Sequence, residues 1–277
     1  MAERKHRNGK LYLLLMALAA AGAAIWVGSS VLSVEEFAFT GARLPAGWDG
    51  GRLVVLSDLH GKRFGRQNSR LLEAVRKAGP DVICLCGDMM DEWSGTEYLR
   101  PLLEGLVEIA PVYYVTGNHE WAAHAVQELE PLLEENGVHV LSNTYVMLER
   151  GGDKIALLGA EDSNGYADQK TIAELSEEVR QEQGDVYKIL LSHRNTRIEE
   201  YVDAHIDLTL CGHAHGGIWR LPGTDGLIGP HREFFPSYTA GLYDLPYGQL
   251  VASRGLGNQF PAFRLFNRPD VPVVVLE

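Results

Sequence analysis

Five short apolar runs in this chain each end in a side chain able to bind a metal ion, and that pattern narrows the folds open to it. Residues 52–57 lead into Asp58-Leu59-His60, 81–87 into Asp88, 111–117 into Asn118-His119-Glu120, 187–192 into His193, and 208–211 into Gly212-His213-Ala214-His215. Runs of this length and composition read as strands buried on both faces. In α/β sheets, ligands gather at the carboxyl ends of strands, so the five loops converge if their strands share a sheet edge. A single Asp or His in such a place is usually a cap or a solvated group. Five together, all with N or O donors, point to a site.

Between the runs the pattern is helical. Residues 68–78 place Leu71, Leu72 and Val75 on one face and close at Gly79-Pro80; 102–109 and 122–135 follow the same logic. The rhythm then changes to short strands at 138–141, 145–149 and 154–159, with Gly151-Gly152-Asp153 as a hairpin turn. Helices at 172–181 and 196–204 flank the fourth run, and the tail carries short strands near 249–253 and 271–276. Parallel strands with crossover helices, followed by hairpins, predict an α/β fold: a two-sheet β-sandwich flanked by helices. The expected organisation is one domain over residues 51–277, preceded by a linker and approach segment at 33–50.

Residues 11–27 are apolar without a break, and continuing to 32 gives 22 residues. At ~1.5 Å per residue they span roughly 33 Å, enough to cross the hydrocarbon core of a bilayer. Residues 1–10 carry Arg4, Lys5, Arg7 and Lys10 against Glu3 and are expected to stay cytoplasmic, which puts the remainder outside a cell membrane crossed once. The rival is a cleaved signal peptide with a processing site among the small residues 19–24, giving a secreted product. There is no Arg-Arg pair for a twin-arginine route. The chain has a net charge of −12 over 277 residues, so the +3 of residues 1–32 leaves −15 on the rest. A domain that acidic argues against nucleic acid as a partner. Cys84, Cys86 and Cys211 all fall in apolar runs and read as small core residues.

The donor set sharpens the chemistry. Asp58 and His60 sit at i and i+2 past a strand, as do His213 and His215, so each pair can face one side of the sheet edge. Carboxylate, amide and imidazole without thiolate suit Mn²⁺, Fe or Zn²⁺, and the donors are enough for two ions. Gly87, Gly117 and Gly212 each precede a donor, where a strand must turn sharply.

The blocks Ser57-Asp58-Leu59-His60, Gly87-Asp88, Gly117-Asn118-His119-Glu120, His193 and Gly212-His213-Ala214-His215 together resemble the calcineurin-like metallophosphoesterases, over about residues 50–220. The approach segment Arg43-Leu44-Pro45 is similar to the bacterial membrane-anchored or exported branch of that family. So are Arg220-Leu221-Pro222-Gly223, Phe234-Phe235-Pro236, Thr239-Ala240-Gly241 and Ser253-Arg254-Gly255-Leu256-Gly257. The resemblance implies the metallo-dependent phosphatase fold and two divalent cations. Asp58, His60 and His215 would hold one, Asn118, His193 and His213 the other, and Asp88 would bridge them. His119 would face the substrate.

Two such cations, about 3.5–4 Å apart, make a bridging hydroxide at neutral pH and clamp the phosphoryl oxygens during in-line attack. The expected activity is hydrolysis of phosphomonoesters, phosphodiesters or pyrophosphates, with Asp88 setting the metal separation and His119 protonating the leaving oxygen. Glu120 or Asp91 is expected either to orient an imidazole or to be a plain surface carboxylate. Family members often carry Pro after the fifth-block histidine; Arg194 stands there instead, and it joins Arg254 as a candidate substrate contact. His124, His139, His205 and His231 read as surface or packing residues. A location outside the membrane makes lipid-linked phosphates, envelope precursors or extracellular nucleotides reasonable substrates, and nothing in the chain chooses among them. A non-catalytic module of the same fold and a two-metal amidase are the competing readings.

Overall fold

The computed structural model describes residues 2–91, 93, 95–221, 224–229, 232–258 and 263–277, with side chains from residue 10 onward. Pro222-Gly223 and His231 lie outside the described residues. Among those described, two six-stranded sheets face each other. The first has the order β1 (Ser33–Phe39), β12 (Asp270–Leu276), β2 (Arg52–Leu56), β3 (Val82–Cys86), β4 (Val112–Val115), β5 (His139–Val140). The second has the order β10 (Gly241–Asp244), β11 (Gln249–Ala252), β9 (Leu208–Cys211), β8 (Tyr187–Leu191), β7 (Asp153–Gly159), β6 (Thr144–Arg150). β2, β3, β4 and β5 are parallel, as are β7, β8 and β9, so the strands that precede the donor loops run toward one edge.

Strand alternation builds three apolar layers from this order. Leu53, Val55, Cys84, Cys86, Leu157, Ile189 and Leu210 point between the sheets. Val54, Leu56, Ile83 and Leu85 point outward, onto Leu71 and Val75 of α2 (Ser69–Ala78) and Leu102, Leu103 and Leu106 of α3 (Arg100–Val107). Ala156, Leu158 and Leu190 do the same against Ile172, Leu175 and Val179 of α6 (Ile172–Gln183). That helix starts at a capping box in which Thr171 Oγ1 accepts from the Glu174 backbone N–H at 3.1 Å and Glu174 Oε2 accepts from that of Thr171 at 2.8 Å. Gly151 and Gly152, both at positive φ, turn the chain between β6 and β7 as expected.

Two expectations need correction. The helix read at 122–135 is two helices, α4 (Asn118–Ala122) and α5 (Val126–Glu135), parted where His124 takes φ 53°. Residues 33–50, read as a linker, are part of the sandwich. Ser33–Phe39 has strict period-two burial and pairs in parallel with the last strand, and Trp48 is buried in the layer between the sheets. The order Val34-Glu35-Glu36-Phe37-Ala38-Phe39 has no apolar–polar alternation to announce a strand, and its partner lies more than two hundred residues away.

Ahead of the sandwich stands α1 (Ala2–Ser30), whose segment Lys10–Ser30 is long and apolar enough to cross a membrane. Its side chains from Lys10 to Gly22 are exposed.

Trp48 tests whether the approach segment is integral, since its indole fills the inter-sheet core and donates to the Asp153 carbonyl at 3.2 Å. Trp48→Ala is expected to lower stability by about 3–5 kcal/mol in denaturant titration. A loss under about 1 kcal/mol would make the segment an appendage.

Candidate metal centre

The strand ends deliver their donors to one place. Asp58, His60 and His215 bring ligand atoms within 4.8 Å of one another, and so do Asp88, His193 and His213. The two groups adjoin through Asp88, whose Oδ2 is 3.2 Å from His193 Nε2 and 3.6 Å from His60 Nε2. His215 Nε2 lies 3.6 Å from Asp58 Oδ1. Asn118 Oδ1 is 3.1 Å from His193 Nε2, which is itself 3.1 Å from His213 Nδ1. All seven candidate ligands are thus gathered. His119, half-buried, also brings a ring nitrogen within 4.8 Å of the donors of His60 and Asp88, with its ring edge-on to His60 at 4.8 Å between centroids and its backbone N–H donating to Asp88 Oδ1 at 2.9 Å.

The local backbone is unusual. Asp58, His60, Asp88, His213 and His215 all have φ between 45° and 68°, a left-handed region that non-glycine residues seldom enter. Strain of this kind costs of order 1–3 kcal/mol per residue and persists only where surrounding contacts enforce it. Those contacts are visible. The His213 N–H donates to both Asp58 oxygens at 3.1 Å. A Cβ on Gly117 would lie 2.2 Å from Asp88 Oδ1, and one on Gly212 would lie 2.4 Å from Asp58 Oδ2, so each glycine makes room for a carboxylate.

Sequence reasoning missed the main brace. Glu120 is fully buried, and its carboxylate accepts backbone N–H bonds from Asp88 (2.9 Å), Met89 (2.7 Å), Met90 (3.3 Å) and Gly117 (2.7 Å). It neither orients an imidazole nor lies on the surface; it ties the loop after β3 to the loop after β4. The signal was present, since Gly117 with Glu three residues later is a helix-start pattern. Burial, followed by the neighbouring Asp88, pushes the Glu120 carboxyl up to about 7. Asp91 accepts from the Trp93 backbone N–H at 2.9 Å and so caps its own turn.

The electrostatics favour cations. Burial lowers His60 to about 4, His215 to about 3 and His213 to about 2, leaving these rings neutral at pH 7 with lone pairs to offer. For His193 burial works the same way, but Asp88 overrides it and raises the imidazole to about 10. Burial would raise Asp88, yet His193, His60 and His119 hold it well below the usual carboxylate range. Burial pushes Asp58 upward. Both ring nitrogens of His60 and Nδ1 of His215 are buried without a hydrogen-bond partner. Such orphaned atoms cost about 1–3 kcal/mol each, and ligation through one nitrogen per ring would relieve part of that cost. Neutral imidazoles, two carboxylates and an amide oxygen fit divalent cations of the Mn²⁺, Fe or Zn²⁺ type. His193 is oriented for that role by the Cys86 carbonyl, 2.8 Å from Nδ1.

The candidate substrate contacts are already engaged. Arg194 makes a two-pronged pair with buried Asp162, at 2.7 and 2.9 Å, and reaches Asn164 at 3.2 Å. Arg254 is paired with Asp270 at 3.2 Å and with Glu35. His139 stacks on Tyr113, and His205 packs edge-on against Tyr247.

A profile of the calcineurin-like phosphoesterases matches residues 51–217. The chain is 26% identical over 264 residues to an uncharacterized metallophosphoesterase, YkuE, of Bacillus subtilis, covering 92% of this chain and 89% of that one. It is 30% identical to a transmembrane protein with a metallophosphoesterase domain from Danio rerio, covering 85% of this chain and 55% of that protein. Among solved structures, TT1561 of Thermus thermophilus superposes with a TM-score of 0.50 at 14% identity, covering 74% of this chain and 90% of its own.

Two outcomes follow from the centre. Mn²⁺ at a hundred times its Kd is expected to stabilise the fold by about 2.7 kcal/mol, read as a rise in melting temperature that excess chelator reverses; an unchanged melt would remove the metal reading. Glu120→Gln loses two of its acceptor interactions and is expected to weaken metal binding by about 10–100-fold in calorimetric titration. Parent-like affinity would show that the loops hold themselves.

Proposed function

The chain belongs to the calcineurin-like phosphoesterases, a dimetal-dependent family, and is a metal-dependent phosphoric ester hydrolase; on that premise we propose how its residues divide the work and where it acts. Asp58, His60 and His215 would hold one cation and Asn118, His193 and His213 the other, with Asp88 placed between the two groups. The single observation that carries this reading is the shared position of Asp88 between two buried donor groups. Bound there, two divalent cations of the Mn²⁺, Zn²⁺ or Fe type supply activated water and charge neutralisation at phosphorus.

The protein's own contribution is positional. Asp88, fixed by the His119 N–H and by the Glu120 brace on its own backbone, sets the spacing of the two halves. The Cys86 carbonyl fixes the ring of His193. His119, edge-on to the ring of His60 beside the donors, would deliver the proton that the leaving oxygen needs. Arg194, pinned by Asp162, acts by holding the loop around Asn164 rather than by gripping phosphate. Phosphomonoesters and phosphodiesters both suit this arrangement.

The domain works at the outer face of a membrane. Support comes from α1, long and apolar enough to span, from the basic residues before it, which favour the cytoplasmic side, and from a relative whose name marks it as a transmembrane protein.

His119→Ala is expected to keep two metals per chain by elemental analysis while hydrolysis of bis(p-nitrophenyl) phosphate falls by about 10²–10⁴-fold. Turnover equal to the parent would remove His119 from the proton transfer. Loss of a metal would place it among the ligands instead.

A further inference from the structure

The direction of β1 decides where the anchor leaves the domain. β2 ends at Leu56, just short of Asp58; β12 runs antiparallel to β2, and β1 runs parallel to β12. β1 therefore begins at the edge where β2 ends. α1, which stops at Ser30 immediately before it, leaves from the same edge as the metal donors.

The contacts agree with the topology. Lys62, two residues past His60, donates through Nζ to the Ser29 carbonyl. Ser29 Oγ accepts from the Arg264 N–H at 3.2 Å, and Arg268 donates to the carbonyls of Val31, at 3.2 Å, and Leu32. A Cβ on Gly28 would stand 2.7 Å from the Arg264 carbonyl oxygen, so the helix end is seated directly on this segment. Asn267 in the same segment donates to the His215 carbonyl at 2.7 Å. The anchor is thus gripped from the loop after His60 and from the segment 264–268, which also touches the loop at His215.

Around this exit the chain exposes large apolar groups. Leu221, Phe263 and Phe266 are exposed, and Phe234 and Phe235 are 75% and 74% accessible. They sit on connected backbone: Trp219 packs on Phe263 at 5.4 Å, its carbonyl accepts from the Leu227 N–H at 2.7 Å, and the Leu227 carbonyl accepts from the Phe235 N–H at 3.1 Å. Trp93, also exposed, lies on the loop after Asp88. At the same exit, where Lys62 meets Ser29, the loop leaving His60 carries Lys62, Arg63 and Arg66, and Arg70 stands in the first turn of α2, in a domain that is otherwise strongly acidic. A groove of about 550 Å³ runs between the end of α1, at Ser30, Val31 and Leu32, and Arg70, Ala74 and Lys77 of α2. The carboxylates on its wall, Glu36 and Glu73, are paired with Arg52 and Lys77. Apolar groups that can enter hydrocarbon, next to cations that favour anionic headgroups, at the foot of a spanning helix, describe a surface made for a bilayer.

We propose that the metal site opens onto the bilayer surface, with Leu221, Phe234, Phe235, Phe263 and Phe266 seated in the interface, and that its substrates are phosphoesters of anionic lipids in that leaflet. The inference takes its chemistry from the phosphoesterase reading and its geometry from the strand order. In the reaction the oxygen of water bonds to phosphorus, and the P–O bond to the leaving alcohol breaks with its electron pair on that alcohol's oxygen. One proton of the water ends on the alcohol and the other on the phosphate product or in solvent.

The test uses the full chain with Mn²⁺ in lipid nanodiscs and has two arms. In the first, Phe234→Trp is compared with the parent in discs with and without brominated acyl chains. The added fluorescence is expected to be quenched at least about twofold, whatever the activity. An unquenched indole overturns the orientation. In the second, hydrolysis of phosphatidylglycerol and phosphatidic acid in the discs is compared with hydrolysis of soluble bis(p-nitrophenyl) phosphate, for the parent and for the double variant F234D/F235D. The variant is expected to lose at least about tenfold on the lipids while keeping its rate on the soluble ester. A parent that cleaves the soluble ester but neither lipid overturns the substrate class and leaves the phosphoesterase reading standing. A parent inert on all three overturns both.

Discussion

Two carboxylates, Asp58 and Asp88, are fully buried within one ring of imidazoles, and the rest of the structure answers to that fact. Burying ionised groups is expensive unless opposite charge lies close by. His193 is driven toward its charged form, while burial keeps His60, His213 and His215 neutral. The cluster is therefore short of positive charge and rich in lone pairs, the balance that divalent cations complete. The same shortage explains why so many donors come from separate strands, since no single loop could supply seven ligands in this geometry.

Holding such a cluster in register needs stiffness close to it. The parallel strands provide most of this, because each donor loop starts at the end of a strand with buried neighbours on both faces. The last ångström comes from elsewhere. Left-handed backbone at five donor positions turns their side chains inward, and Gly117 and Gly212 leave room for the carboxylates. Glu120 then locks two loops with one side chain. It is a third buried acid near the metal site, yet backbone N–H groups satisfy it, so it braces the site without competing for a cation.

The five donor loops were legible because each carries its message locally: a short apolar run followed by a polar residue of the right chemistry. The sandwich, most helices and the hairpin at Gly151-Gly152 were legible for the same reason. What failed depended on distant partners. β1 is a strand because β12 lies beside it, and Trp48 is a core residue because the second sheet covers it. Arg194 and Arg254 looked available for phosphate because nothing nearby in sequence announces Asp162 or Asp270 as their partners. Glu120 looked peripheral because a carboxylate is normally solvated, and only the convergence of two loops buries it.

An acidic domain handling an anionic substrate poses a last question of charge. Residues 33–277 carry −15 once the +3 of residues 1–32 is taken from the chain total of −12, and that field would repel phosphate at long range. In physiological salt, however, interactions between exposed charges fade over about 8 Å. Beyond that distance the bulk of the domain counts for little, and the charges lining the approach decide what enters. Nearest to the donors in sequence are Lys62, Arg63 and Arg66 on the loop after His60 and Arg70 in the first turn of α2, together with the cations that the buried donors are suited to hold. The basic rim and the apolar side chains beside it give the molecule one face suited to a membrane, and the strand order puts the metal donors on that face.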